Sequence, residues 1–142
     1  MDGMALHGPV IRDLRRRIQA GELARGSGCE QREDLCSDYL RQIGTQITLT
    51  RPLKVIVDCG NGIAGEPAPF LLRALGCEVV ELHCRVDGRF PHHHPDPSQP
   101  ENLAELCAKV PALGADLGLA FDGDADRLGV VSDAGEIIWP AS

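Results

Sequence analysis

The chain has 142 residues, 43% of them apolar and 25% charged, the make-up of one soluble globular domain with a modest core rather than of a disordered chain. Its formal net charge of −7, with Arg15-Arg16-Arg17 as the one basic cluster, excludes a nucleic-acid surface, which needs clustered Lys and Arg. No apolar run reaches bilayer-spanning length and the N-terminus lacks the sections of a signal peptide, so no membrane partner is expected and the cytoplasm is the expected compartment.

From Pro9 to Ala20, Val10, Ile11, Leu14 and Ile18 recur at helical spacing, with Pro early and Gly21 just past the end. This predicts an amphipathic helix whose wet face carries Arg15-Arg16-Arg17. Arg25-Gly26-Ser27-Gly28 breaks the pattern and reads as a linker; Arg32 to Ile47 resumes it with Leu35, Tyr39, Leu40, Ile43 and Ile47. From Lys54 onward, short β-branched runs alternate with helical stretches, the signature of α/β architecture. Strands are predicted at Lys54 to Cys59, Glu78 to His83, Leu117 to Phe121, Leu128 to Ser132 and Ile137 to Trp139. Helices are predicted from Ala68 to Leu75, stopped by Gly76, and from Pro100 to Val110, and Asp133-Ala134-Gly135 supplies a hairpin turn. Cys29, Cys36, Cys59, Cys77, Cys84 and Cys107 contain no C-x-x-C pair and are expected to be reduced thiols.

The chemistry is concentrated in Phe121-Asp122-Gly123-Asp124-Ala125-Asp126-Arg127, at the end of the apolar run Leu117-Gly118-Leu119-Ala120-Phe121. A strand that leaves a core and at once presents carboxylates at alternate positions needs a partner for that charge, and a hard divalent cation with oxygen ligands suits it. The small spacers at 123 and 125 let the backbone curl so that Asp122, Asp124 and Asp126 converge. Arg127 adds a planar donor fit for a phosphate oxygen. A solvated Asp/Gly turn is the plain alternative. An EF-hand would take the same carboxylates as its first, third and fifth ligands, but it requires Gly where Arg127 stands and a bidentate Glu where Asp133 stands.

Two other patterns compete. Gly60-Asn61-Gly62-Ile63-Ala64-Gly65 follows a predicted strand and precedes a predicted helix, with Glu81 near the place of a ribose-binding acid, as in a dinucleotide fingerprint. Against it, Asp58 sets a carboxylate near the pyrophosphate position, and Pro67 and Pro69 crowd the first helical turn. A Gly-rich turn serving chain geometry alone is the simpler reading. In Phe90-Pro91-His92-His93-His94-Pro95-Asp96-Pro97, adjacent histidines in extended chain point to opposite sides and rarely converge on one zinc, and the prolines make the segment a stiff structural loop, with contact to a neighbouring domain as the second reading.

These residues resemble a segment of the α-D-phosphohexomutases, the bacterial phosphomannomutase/phosphoglucomutase group in particular. The resemblance covers nearly the whole chain and rests on Val55 to Gly62, on Val86-Asp87-Gly88-Arg89-Phe90 with the following Pro/His loop to Pro97, on Pro100-Glu101-Asn102-Leu103 and on Asp122 to Arg127. The family pattern often has Gly where this chain has Ala125, and Asn where it has His92. The resemblance implies an α/β fold of the family's second-domain type, a mixed sheet flanked by helices and preceded by helices belonging to or linking from the first domain. It implies residues 1–27 as the last helix of that first domain with its linker, and 28–142 as a C-terminally truncated, metal-binding second domain.

The same resemblance implies Mg²⁺ on Asp122, Asp124 and Asp126, with Arg127 as a catalytic phosphate-side donor. The parent enzyme would interconvert hexose 1-phosphate and hexose 6-phosphate, of mannose or glucose, through a phosphoserine and a bisphosphate intermediate. Its partners would be the hexose phosphate and the remaining domains of the same chain. The family's phosphoserine loop, Thr-Ala-Ser-His-Asn-Pro, does not occur in these residues, which implies an inactive isolated chain. A dinucleotide-binding dehydrogenase domain and a structural metal-binding module are the alternatives.

Overall fold

The computed structural model describes residues 6–139, and the expectation for the chain end at Pro140 to Ser142 falls outside them. The chain divides into two compact units, one ending at Glu33 and one beginning at Asp34. Among the described residues the first holds one helix, α1 (Gly8–Ala20), which ends where Gly21 turns left-handed at φ 69°. Its apolar residues Val10, Ile11, Leu14 and Ile18 are exposed, and Arg16 pairs with Asp13 and Glu22.

The second unit opens with α2 (Cys36–Gln46), shorter than predicted because Asp34 takes the Cys36 N–H and the Ser37 hydroxyl and so fixes the start. There follow β1 (Lys54–Asp58), a 3-10 turn (Ile63–Gly65), α3 (Pro67–Ala74) and β2 (Glu78–Leu82). After a long loop come a second 3-10 turn (Pro100–Leu103), α4 (Ala104–Ala112), β3 (Leu117–Phe121), β4 (Leu128–Ser132) and β5 (Ile137–Ile138). The stretch predicted as one helix from Pro100 is thus a 3-10 turn running into α4, and α4 passes through Pro111. A proline in the last turn removes only one backbone bond, so the helix completes itself. Gly135, at φ 83°, closes the β4–β5 turn by donating its N–H to the Ser132 carbonyl.

The sheet has the order β2-β1-β3-β4-β5, with β1 parallel to β2 and β3 and the last two pairings antiparallel. This is the mixed sheet flanked by helices that the sequence implies. β1 is buried on both faces, as the centre of a parallel sheet must be. Ile56 points into the cluster under α4 with Leu103, Leu106, Val110, Ala120 and Val131, while Val55 and Val57 point into the cluster under α3 with Cys59, Ala64, Cys77 and Cys84. All six cysteines are free thiols. Among the described residues no helix is long and apolar enough to cross a membrane.

Three parallel strands share a direction, so their C-terminal ends, Asp58, Leu82 and Phe121, lie at one edge of the sheet. The chain goes from β1 to β2 on one side and then returns to β3 on the other. The gap between the ends of β1 and β3 is the switch point where open α/β sheets place their ligands.

Candidate metal centre

The acidic loop is the reversal of the β3–β4 hairpin. Phe121 faces Leu128 in register, and beyond that pair Asp122 donates its N–H to the Arg127 carbonyl at 3.3 Å. The remaining reversal, Gly123 to Asp126, is tightened by the Ala125 N–H on the Asp122 carbonyl at 3.2 Å and by Ala125 itself, which is left-handed at φ 63°. That curl brings one carboxylate oxygen each from Asp122, Asp124 and Asp126 within 4.8 Å of one another. Asp122 is buried at 1% exposure; Asp124 and Asp126 are exposed.

The electrostatics fit a cation. Burial by itself would raise Asp122, but the Arg127 N–H, the hydrogen bond with Asp126 and the Arg127 guanidinium outweigh it and hold that carboxylate below its usual range. Asp126 is pushed up instead, by sharing a hydrogen bond with Asp122 and by the charges of Asp124 and Asp122. Three carboxylates this close leave one of them short of countercharge, and all their ligand atoms are hard oxygens.

Arg127 lies across this group. Its Nε donates to Asp122 Oδ2 at 2.8 Å and its backbone N–H to Asp122 Oδ1 at 3.1 Å; Nη1 donates to Asp96 Oδ1 at 2.9 Å. Nη2 has no hydrogen-bond acceptor among the described residues, and the side chain is about half exposed.

The neighbouring strand ends are tied to the same place. Asp58 is buried, takes the Gly60 N–H at 2.9 Å, and lies 3.1 and 3.2 Å from His93 Nε2. Asn61, also buried and left-handed at φ 63°, donates Nδ2 to the Arg85 carbonyl at 2.7 Å and meets His92 Nδ1 through Oδ1 at 2.7 Å. With Asn61 Oδ1 as acceptor, the proton of that contact sits on His92 Nδ1. The His92 ring stacks on His83 with centroids 3.9 Å apart, and His83 Nε2 reaches Glu105 at 2.9 Å.

Comparison with known proteins decides the lineage. Residues 37–135 match the family model for phosphoglucomutase/phosphomannomutase, alpha/beta/alpha domain II. The chain belongs to the phosphoglucomutase/phosphomannomutase family. It is 54% identical over 138 residues to a phosphomannomutase/phosphoglucomutase of Pseudomonas aeruginosa, covering 97% of this chain and 30% of that protein. Against a phosphoglucomutase of Neisseria meningitidis serogroup B it is 46% identical over 142 residues, 99% of this chain and 31% of the relative. A solved phosphoglucomutase/phosphomannomutase family protein of Burkholderia thailandensis superposes with a TM-score of 0.90 at 51% identity, over 97% of this chain and 30% of that one. The chain therefore spans about a third of the length of the relatives it matches.

The phosphoglucomutase/phosphomannomutase assignment displaces the dinucleotide alternative, and the geometry gives the physical reason. A side chain on Gly60 would meet Pro95 at 2.9 Å and His93 at 3.1 Å, one on Gly62 would meet the Gly123 carbonyl at 2.9 Å, and one on Gly65 would strike the Cys84 carbonyl. These glycines seat the Pro/His loop, the acidic loop and the segment after β2 against the turn, so their smallness serves close packing. Sequence reasoning placed Asp122, Asp124, Asp126 and Arg127 together and the structure does bring them together. It missed Asp96 and Asn61. Asp96 had one signal, a carboxylate fixed between Pro95 and Pro97.

Proposed function

We propose that this chain is the metal-holding segment of a cytoplasmic phosphohexomutase that interconverts the 1- and 6-phosphates of mannose or glucose. Asp122, Asp124 and Asp126 are its Mg²⁺ ligands. The observation that carries this reading is the convergence of their oxygens within 4.8 Å at the switch point of the sheet, with Arg127 beside them. A bound Mg²⁺ supplies charge neutralisation and a fixed oxygen geometry next to the phosphoryl group in transfer.

The chain's own residues do the rest of what this segment contributes. Asp122 is oriented by the Arg127 N–H and guanidinium, so its buried carboxylate arrives at the site ionised and fixed. Asp124 and Asp126 add the two exposed carboxylates of the set. Arg127, with Nε and Nη1 engaged, keeps Nη2 as a donor for an oxygen of the phosphate. The serine that carries the phosphate, the base that takes the sugar proton and the pockets for the sugar come from the rest of the parent chain. They act through a bisphosphate intermediate.

The test is a Mn²⁺ relaxation titration or Mg²⁺ calorimetry of the chain against its Asp124→Asn variant. Weak binding in the parent, reduced several-fold by the substitution, is the expected result. Equal binding by both would remove the metal centre from this reading.

A further inference from the structure

The proposed centre contains an internal conflict. Arg127 is a permanent cation whose Nε already lies 2.8 Å from Asp122 Oδ2 and 3.5 Å from Asp126 Oδ1, so it competes for two of the carboxylates that a metal ion needs. A guanidinium free to pivot about the Asp122 contact would lay its fork on Asp126, where bidentate pairing is the preferred geometry. Something must hold it off.

Asp96 is placed to do this. It takes Arg127 Nη1 at 2.9 Å, a different nitrogen from the Nε that lies near Asp122 and Asp126. It is itself tied down by several hydrogen bonds. Its Oδ1 accepts the Ser98 N–H at 3.1 Å and the Ser98 hydroxyl at 2.8 Å, its backbone N–H donates to the His94 carbonyl at 2.8 Å, and its carbonyl takes Asn102 Nδ2 at 2.9 Å. Prolines fix φ on both sides, and two residues before the first of them His93 is pinned to buried Asp58. A chain of contacts, Asp58–His93, then Asp96–Arg127–Asp122, thus spans the crevice between the ends of β1 and β3.

We propose that Asp96 is a positioning residue for the metal centre: by holding Arg127 Nη1 it keeps the guanidinium from closing over Asp126 and leaves the three carboxylates open to a divalent cation. The inference rests on reading Asp122, Asp124 and Asp126 as the cation ligands. It assigns to the Pro/His loop a role in metal affinity, although no residue of that loop is among the three proposed ligands.

A double-mutant cycle tests it, with Mn²⁺ affinity read by electron paramagnetic resonance on the whole chain. Asp96→Asn is nearly isosteric and keeps Oδ1, the oxygen that Ser98 and Arg127 Nη1 share, but it loses the negative charge that strengthens the hold on Arg127. It should weaken Mn²⁺ binding by roughly threefold to tenfold, less than the 10- to 100-fold typical of groups bonded directly to a ligand. In the Arg127→Gln background the same substitution should change nothing, because the competitor is gone. An equal loss in both backgrounds would mean that Asp96 acts only as a remote negative charge, and no loss in either would mean that it does not act at all; each overturns the proposal. If Asp96→Asn does not fold, Asp96→Glu, which keeps the charge and misplaces it, takes its place in the cycle under the same criterion. Asp124→Asn is the control. If it binds Mn²⁺ as tightly as the parent chain, the ligand assignment itself has failed, and this inference falls with it.

Discussion

Gly62 and Gly123 touch through bare backbone: a Cβ on Gly62 would lie 2.9 Å from the Gly123 carbonyl oxygen and 3.0 Å from its Cα, and the next residue, Ile63, donates its N–H to that same carbonyl at 3.2 Å. The turn after β1 is therefore the floor on which the acidic loop rests. Gly62 has an ordinary extended backbone, φ −77° and ψ 179°, so any residue could adopt its conformation and only the contact forbids one. Gly62→Ala is expected to destabilise the chain by about 1 to 3 kcal/mol and to weaken divalent-cation binding, because the group that must move is the metal loop. Gly88→Ala, with open space at its Cβ, is the control. Urea melts of the two variants together with a Mn²⁺ titration check both parts; an unchanged Gly62→Ala would show the loop free to shift.

Ala125 poses the opposite problem. It has a side chain where φ is 63°, a left-handed conformation that costs an L-residue about 1 to 2 kcal/mol. Ala125→Gly removes that strain and adds some chain entropy to the unfolded state, so a net gain of about 1 kcal/mol is expected. The Mn²⁺ affinity should be unchanged or slightly tighter, since the curl that joins the carboxylates is then unstrained. A loss of stability on urea melting would mean that the Ala125 methyl makes a compensating contact.

The contrast between these two positions shows what was legible in the sequence. The strands came out nearly residue for residue, because β-branched runs bounded by Gly and Pro carry their own signal. The acidic loop did too, since alternate carboxylates at a strand end admit few uses. Contacts made across the fold did not. Gly60, Gly62 and Gly65 fit a phosphate-binding spacing equally well, and only the placement of Pro95, Gly123 and Cys84 against them shows that they serve close packing. Asp96 is separated from Arg127 by 31 residues, and nothing local marks the pair. The helix predicted from Pro100 fared in between: its periodicity was right, but its first turn is wound as 3-10.

His93 is expected to matter more for folding than its place in a surface loop suggests. The Asp58 carboxylate is at 1% exposure, and its partners are the Gly60 N–H and His93 Nε2. His93→Ala leaves a buried carboxylate with one donor and should cost about 3 kcal/mol. Asp58→Asn combined with His93→Ala should cost less than the sum of the two single changes, because the stranded charge is gone. Additive losses in thermal or urea melts would mean that the two residues stabilise the chain independently.

Asp116 supplies a pH signature at the other end of the sheet. Its carboxylate takes the Arg51 guanidinium and, at 2.7 Å, the Lys54 N–H, while its own N–H donates to the Lys54 carbonyl at 2.8 Å, so it clasps the starts of β1 and β3. The Arg51 hydrogen bond, followed by the Lys54 N–H, holds it below the usual carboxylate range. A carboxylate depressed on folding binds its proton more readily in the unfolded chain. Its contribution is therefore present above the unfolded value, about 3.9, and is lost as pH falls through the lower folded value. The stability difference between the parent and Asp116→Asn, from urea melts across a pH series, should be constant above about pH 5 and shrink below about pH 4. A difference that stays constant to the acid limit would show that protonating Asp116 costs the fold nothing, and that its charge does nothing for the sheet.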